Sequence, residues 1–223
     1  MKKNLLLVLL SVFFCFMLAG CGGGSDSSSS GGIMPLEIVD SGYSYEDGYI
    51  YYSIKIENPN SEVVAEYPSF RIVARDADGN VLGTEEQTLS EIYPGSTAGF
   101  AFLGPETSSE PDTVEFELVE SDDLWIAESD AVYPDFIELS TVNVNTTQDE
   151  LGGMSYSGEI VNTNEFDIDS AAVCILFKDA DGKMIGGDST FVDYIKANGN
   201  TAFTLDVFGD YYTSDYEIFV MTW

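Results

Sequence analysis

Apolar and polar residues alternate with a period of two along most of the chain after residue 33. In 50–57, for example, Ile50, Tyr52, Ile54 and Ile56 fall on one side of an extended backbone. Similar β-rich runs lie at 70–74, 100–103, 114–119, 136–144 and 216–221. Turns that contain Gly, Pro or Asn separate the runs, and no long amphipathic helix is indicated. The pattern predicts an all-β sandwich or barrel of short strands.

The chain repeats itself. Ile-Glu-Asn-Pro-Asn at 56–60 returns as Ile-Val-Asn-Thr-Asn at 160–164, and both 76–79 and 179–182 read Asp-Ala-Asp-Gly. A third block, Pro-Gly-Ser-Thr-Ala from position 94, returns from position 198 as Asn-Gly-Asn-Thr-Ala. The offsets are 104, 103 and 104 positions, so the order is kept and the register shifts by one residue in a loop and then recovers. We predict two tandem immunoglobulin-like β-sandwich domains, 33–129 and 130–223, each of about seven strands.

Each repeat is expected to start with a hairpin, over 36–44 and 49–57 in the first and over 136–144 and 154–161 in the second. An Asp-Gly turn then joins a central strand to its neighbour. Alternation predicts these core side chains: Ile50, Tyr52, Ile54, Ile56, Phe70, Ile72 and Ala74, then Met154, Tyr156, Ile160, Val173, Ile175 and Phe177.

Residues 1–20 have the organisation of a secretory signal. Lys2 and Lys3 precede an almost wholly apolar run over 5–18, shorter than the roughly 20 residues of a membrane-spanning helix. The run ends in Leu-Ala-Gly-Cys, which resembles the lipobox of bacterial lipoproteins, where cleavage precedes a cysteine that is lipidated. The resemblance implies that Cys21 carries a lipid and anchors the chain to the cell membrane, on its extracytoplasmic face.

A low-complexity linker follows the predicted lipid site. Residues 22–32 read GGGSDSSSSGG, so the predicted linker segment spans 21–32. Such a segment has nothing to bury and behaves as a flexible coil, with an end-to-end distance of about 20 Å. A polar tether directly after a lipidated cysteine is typical of an anchored ectodomain.

The charge balance excludes some partners. Removal of 1–20 leaves 203 residues with 6 basic and 39 acidic side chains, a net charge of −33. This surface repels nucleic acid and anionic lipid headgroups. An acidic surface of this kind can bind Ca²⁺ adventitiously, but the usual role of such a charge is to keep a secreted domain soluble. We expect no resident cofactor, no nucleic acid partner, and contact with the membrane through the Cys21 lipid.

The sequence has few of the residues that nucleophilic catalysis requires. Cys15 leaves with the signal and Cys21 is the lipid site, so Cys174 is alone, and the chain has no histidine to act as its base. Cys174 lies in an apolar strand, where a buried small apolar side chain is the default role. By register, however, it falls on the face opposite the predicted core, where Arg71 stands in the first repeat. We therefore expect Cys174 to be less buried than its neighbours, and we predict that the protein is not an enzyme.

The repeated unit resembles the FxLYD domain, an immunoglobulin-like sandwich of extracytoplasmic bacterial proteins that are often lipoproteins. The residues that carry the resemblance are the Asn-x-Asn, the alternating strand, the Asp-Ala-Asp-Gly turn and the glycine that follows it. Residues 175–179 (ILFKD) keep the spacing of the namesake motif without its tyrosine, and 72–76 (IVARD) keep less of it. The resemblance covers the folded part of the chain and implies no catalytic residues.

Two sets of carboxylates are candidate cation sites. Asp76 with Asp78, and Asp179 with Asp181, look like the start of a Ca²⁺ loop, but the glycine and glutamate of an EF-hand are missing at the required positions. A structural turn is the favoured interpretation. The second set lies around the predicted domain junction. Its carboxylates either share a cation there or are simply solvated. They are Asp122, Asp123, Glu128, Asp130, Asp149 and Glu150.

Tyrosines are the remaining candidates for ligand binding. The predicted site residues are Tyr43, Tyr45, Tyr49 and Tyr51, expected on one face of the first hairpin, and Tyr211 and Tyr212 near the C-terminus.

The expected function is that of a non-catalytic binding or spacer module at the bacterial cell envelope, with a protein or glycan partner. One alternative is an enzyme or accessory subunit that acts on envelope or extracellular glycans. Another is a structural module that assembles through its edge strands.

Overall fold

The computed structural model describes residues 32–119, 121, 123–150, 152–207, 213 and 215–223. The predicted signal, Cys21 and the linker up to residue 31 lie outside the described residues, as do Tyr211 and Tyr212. In the part that is described, no helix has the length and apolar character needed to cross a membrane.

The first repeat is built from nine strands: β1 (Glu37–Glu46), β2 (Tyr49–Glu57), β3 (Val63–Glu66), β4 (Ser69–Arg75), β5 (Val81–Thr88), β6 (Glu91–Ile92), β7 (Thr97–Glu106), β8 (Thr113–Val119) and β9 (Trp125–Ala127). They form antiparallel sheets in the orders β1-β2-β7, β5-β4-β8 and β6-β3-β9. A single 3-10 turn, Glu128–Asp130, follows, and the predicted boundary near residue 129 falls within it.

The second repeat has six strands: β10 (Ser140–Gln148), β11 (Met154–Asn162), β12 (Ile168–Lys178), β13 (Met184–Ile195), β14 (Gly199–Val207) and β15 (Asp215–Thr222). Their antiparallel sheets have the orders β10-β11-β14 and β13-β12-β15, which match two sheets of the first repeat strand for strand. The all-β, antiparallel sandwich class is therefore confirmed.

The hairpins occur where they were predicted, with one difference. β10 begins at Ser140, although the alternation suggested a strand from 136. Residues 136–139, and their counterparts 33–36, are instead a leading segment that is tied to an asparagine pair. In the first repeat, Met34 donates its N–H to Asn60 Oδ1 (2.8 Å), and Asn60 Nδ2 donates to the Met34 carbonyl (2.8 Å).

The second asparagine of each pair is held by the first. Asn58 Oδ1 accepts both the backbone and the side-chain N–H of Asn60, and Asn58 Nδ2 donates to the carbonyls of Val63 (2.8 Å) and Ile92 (2.9 Å). Both asparagines are buried. We call this arrangement the asparagine clamp, because one buried polar pair joins the leading segment to two other segments.

The clamp recurs in the second repeat. Asn162 Oδ1 accepts both N–H groups of Asn164, and Asn162 Nδ2 reaches the carbonyls of Phe166 and Ile195. Asn164 exchanges two hydrogen bonds with the backbone of Ile137. The repeated Asn-x-Asn is thus explained by structure, since buried amide groups require partners.

All seven side chains predicted for the first core are fully buried. In the second repeat Met154 is half-buried, and the other five predicted residues are fully buried. Tyr52 is the centre of the first core, with its ring against Phe70, Phe100 and Phe116.

Strand β12, at the centre of the sheet β13-β12-β15, is buried on both faces over 171–177. Val173 and Ile175 point to the cores of the second repeat, whereas Ala172, Cys174 and Leu176 pack into the core cluster of the first. The expectation that Cys174 would be less buried was wrong: it is 0 % exposed, because its face of β12 lies against the sheet β1-β2-β7. Residues Ile33–Trp223 consequently form one compact unit.

Glycines, which have no side chain, allow the two sheets to approach closely. A Cβ at Gly99 would overlap the ring of Phe219, and one at Gly42 would overlap the backbone of Met184. At the margin of this contact, Glu217 pairs with Lys55 of the first repeat and Lys178 of the second. Burial opposes ionisation of Glu217, but hydrogen bonds from the two lysines hold its pKa below the usual value.

The clamp predicts a specific loss of stability. Asn58→Ala leaves two buried carbonyls and the amide of Asn60 without their partner, so we expect the free energy of unfolding to fall by about 3 kcal/mol. Urea unfolding followed by circular dichroism measures the change. The control is Asn145→Ala, which removes one exposed hydrogen bond to Asn143 and should change stability by less than about 0.5 kcal/mol. Equal losses for both variants would contradict a structural role for the clamp.

Candidate functional site

The two Asp-Ala-Asp-Gly segments are closed turns in which the first aspartate is used internally. Asp76 Oδ1 accepts the N–H groups of Asp78 (3.0 Å) and Asn80 (2.8 Å), and its Oδ2 accepts the side-chain amide of Asn80 (2.9 Å). Gly79 has a φ of +82°, which favours glycine. Hydrogen bonds from Asn80 hold the pKa of Asp76 below its usual value.

The second turn has the same geometry. Asp179 Oδ1 accepts the N–H groups of Asp181 and Lys183, both at 2.9 Å, and Gly182 has a φ of +80°. The bonds that these aspartates accept come from their own turns, so the geometry supports the turn interpretation of Asp76 and Asp179. Asp78 and Asp181 donate their backbone N–H groups to the first aspartate of their turns.

The acidic residues around residue 129 are not brought together as a cation site. Asp123 is exposed, and Glu128 and Asp130 belong to the 3-10 turn. Asp149 Oδ1 accepts the N–H of Gly153 within its own hairpin loop. Among the described residues, no group of three or more His, Cys, Asp or Glu side chains is placed to hold a metal ion. Asp122 lies outside the described residues.

The four tyrosines of the first hairpin do not share a face, contrary to the prediction. The two-residue turn pairs Glu46 with Tyr49, so Tyr45 lies opposite Ile50 and Tyr43 opposite Tyr52. Directly opposed residues point to the same side of a sheet.

Tyr43 and Tyr45 are therefore half-buried against the first core. Tyr51 points the other way and packs against a cluster of the second repeat, which leaves Tyr49 as the most exposed of the four. Across a two-residue turn, odd-numbered residues of one strand face the same side as even-numbered residues of the other. The prediction was wrong because it placed odd-numbered residues of both strands on one face.

The structure reveals a different aromatic surface. Phe102 on β7 lies edge-on to Phe191 on β13, with ring centroids 6.2 Å apart, and Phe191 lies 5.1 Å from the ring of Trp223. Trp223 in turn stacks on the buried Phe100 at 5.3 Å. Phe191 and Trp223 are each 41 % exposed. We call Phe102, Phe191 and Trp223 the aromatic patch.

Sequence reasoning missed the aromatic patch because its members are remote in the chain. Phe102 belongs to the first repeat and the other two to the second, and they meet only because the repeats pack together. The sequence carries no local signal for the patch, since Phe191 stands between Thr190 and Val192 and Trp223 follows the mainly apolar run 218–222.

Cys174 has none of the properties of a reactive thiol. It is fully enclosed, and burial raises its pKa to about 12. A nucleophilic cysteine needs a lowered pKa and access to solvent. Its role in this structure is that of a small apolar side chain between two sheets.

No protein-family model matches the chain, and no curated protein matches it. Solved structures similar to it include Bacteroides uniformis β-glucuronidase 2 bound covalently to cyclophellitol-6-carboxylate aziridine, with 15 % identity over 74 % of this chain and 22 % of that chain, and a TM-score of 0.23. A second is Bacteroides uniformis β-glucuronidase, with 15 % identity, 73 % and 22 % coverage and a TM-score of 0.22.

A third is a calcium-binding mutant of Bacteroides uniformis β-glucuronidase 2, with 13 % identity, 75 % and 23 % coverage and a TM-score of 0.23. The chain thus spans between 22 % and 23 % of the length of these three structures. The FxLYD resemblance stays a prediction.

The Asp76 turn predicts a pH-dependent contribution to stability. Because its folded pKa is lowered, the ionised carboxylate stabilises the fold above the unfolded pKa of about 3.9, and this stabilisation is lost as pH falls through the folded pKa. Asp76→Asn should therefore melt below the wild type at pH 7, and the difference should narrow in acid.

Thermal melts at both pH values, with and without Ca²⁺, measure this effect. Asp78→Asn is the control, since it should leave the turn bonds in place. A difference that appears only with Ca²⁺ present would show that the turn is a cation site instead.

Proposed function

We propose that the protein is a lipid-anchored, non-catalytic binding module on the extracytoplasmic face of the cell membrane. The observation that carries this proposal is the order of features along the chain. A signal-like segment ends at Cys21, a Gly/Ser linker follows, and a compact β unit starts at Ile33. Eleven Gly- and Ser-rich residues are enough to place a folded unit a few nanometres from a lipidated cysteine.

The packing of the two repeats supports a display role. Sheet β13-β12-β15 is enclosed between the sheets of both repeats, so the unit presents one continuous surface. The aromatic patch draws on both repeats, and a partner bound there would contact both at once. Exposed tryptophan and phenylalanine rings supply large contact areas with little conformational entropy to lose, as binding surfaces require.

The partner class that we favour is a protein or glycan of the cell envelope. Aromatic rings pack equally well against apolar side chains and against the apolar faces of sugar rings. The net charge of −33 after removal of 1–20 repels nucleic acid, so we do not propose nucleic acid as a partner.

The anchor is tested by Cys21→Ala. We expect the variant to lose metabolic labelling with a radioactive or alkyne-bearing fatty acid, to keep its signal segment, and to shift in membrane fractionation. Cys174→Ala is the matched control, because this buried thiol should take no lipid. Normal lipid labelling or unchanged fractionation of Cys21→Ala would show that the lipoprotein assignment is wrong.

The binding surface is tested by Phe191→Ala combined with Trp223→Ala. Removal of two partly exposed rings should abolish capture of envelope proteins or glycans by the mature chain while the fold is kept, as circular dichroism would verify. Tyr67→Ala is the control, since Tyr67 is an exposed aromatic residue outside the patch. If the double variant and the control captured the same material, binding would not depend on the aromatic patch.

A further inference from the structure

A groove of about 660 Å³, lined mainly by apolar residues, opens at the start of the β unit. Three segments of the chain form its walls. They are Pro35 with Leu36, Leu118 with Val119, and Leu124 with Trp125. Ile33 lies at its edge, and Ser121 is the polar residue among those that line it. This volume lies within the range of about 300–1,000 Å³ typical of ligand pockets. We call this feature the leading groove.

The wall on the N-terminal side is fixed in place. Met34 is bonded through both backbone groups to Asn60, so the asparagine clamp fixes the backbone from which Pro35 and Leu36 extend. Leu36 is anchored in the core at 7 % exposure. This wall of the leading groove is therefore formed before any ligand arrives, which lowers the entropic cost of binding.

The second repeat shows what normally covers this region. Phe136 corresponds to Ile33 in the repeat alignment, and its ring stacks on Tyr93 of the first repeat with centroids 4.4 Å apart. Ile33 is the first residue of the first repeat and is 54 % exposed. An apolar position that is covered in one repeat is thus open in the other, at the end of the unit that the tether enters.

The tether determines which ligand is available at this end. Eleven residues, 22–32, separate Cys21 from Ile33 and span about 20 Å on average. If Cys21 is lipidated, the leading groove stays at an effective concentration in the millimolar range relative to the bilayer. Weak contact with an acyl chain would then be well populated.

Charge selects against an anionic headgroup. None of the described residues that line the leading groove is basic, and the chain without 1–20 has a net charge of −33. Attraction to anionic lipid requires lysine or arginine near the surface. The side chains that line the groove are mainly apolar, so a neutral or zwitterionic lipid is the suitable donor of the acyl chain.

We infer that the leading groove takes one acyl chain from a zwitterionic lipid of the membrane to which Cys21 anchors the protein. The inference rests on the proposed function for its source of lipid. It gives the unit a second, reversible contact with the bilayer beside the covalent one. Two weak attachments of this kind hold a protein at a membrane more firmly than either does alone.

Tryptophan quenching tests the inference directly. Trp223→Phe leaves Trp125, in the groove wall, as the single tryptophan. The unlipidated chain 21–223, with Cys21→Ser added, is titrated with a short-chain phosphatidylcholine brominated on its acyl chains, below the concentration at which micelles form. We expect saturable loss of most of the Trp125 emission at one lipid per protein. Absence of saturable quenching overturns the inference.

A matched pair of variants locates the binding site. Ile33→Glu places a charge at the edge of the leading groove and should weaken lipid binding about tenfold or more, because burying an unpaired charge is costly. Ile137→Glu is the control: it changes the same residue type at 57 % exposure, in the leading segment of the other repeat. Equal weakening by both variants would show that the lipid does not bind in the leading groove.

A second arm separates this inference from the proposed function. The native lipidated chain carrying Trp223→Phe is placed in vesicles of brominated phosphatidylcholine, and both flotation and Trp125 emission are measured. Flotation with quenching supports both proposals. Flotation without quenching overturns the groove contact and leaves the anchor intact, whereas a native chain without lipid on Cys21 overturns the proposed function only.

Discussion

The burial of strand β12 on both faces, at the centre of sheet β13-β12-β15, is the constraint on which the rest of the unit depends. Residues 171–177 read AAVCILF, an unbroken apolar run, and every one of them is buried. Alternate side chains enter the cores of different repeats. The second repeat therefore cannot expose this sheet to water without uncovering the first repeat as well. The hydrophobic effect thus keeps the two repeats packed against each other.

Comparison of the two repeats shows a difference between their central strands that accompanies this asymmetry. The central strand of the first repeat, β4, carries Arg71 where β12 carries Cys174. Arg71 is exposed and pairs with Glu86 across the sheet surface, so one face of β4 stays solvated. The apolar run of β12 has no such charge. Two copies of one fold thus meet through an apolar face that only one of them possesses.

Sequence alone predicted much of the fold because period-two alternation and Asp-Gly turns are local signals. The strands around Tyr52 and Tyr156, the two hairpins and the two Asp-Ala-Asp-Gly turns all follow from them. Cys174 was misjudged because alternation was taken to mean one buried face, although a continuous apolar run is also typical of a strand that is buried on both. The aromatic patch could not be predicted, since its residues meet only through packing between repeats.

The Asn-x-Asn blocks show why a repeated motif is not by itself a functional site. Both pairs bury their amides and use them to hold a leading segment, the same task in each repeat. What differs is the surface beside that segment. Phe136 is covered by Tyr93, whereas Ile33 is exposed beside an apolar groove. Because the net charge of the chain without 1–20 is −33, electrostatics oppose contact with an anionic bilayer, and any direct contact has to come from apolar surface of this kind.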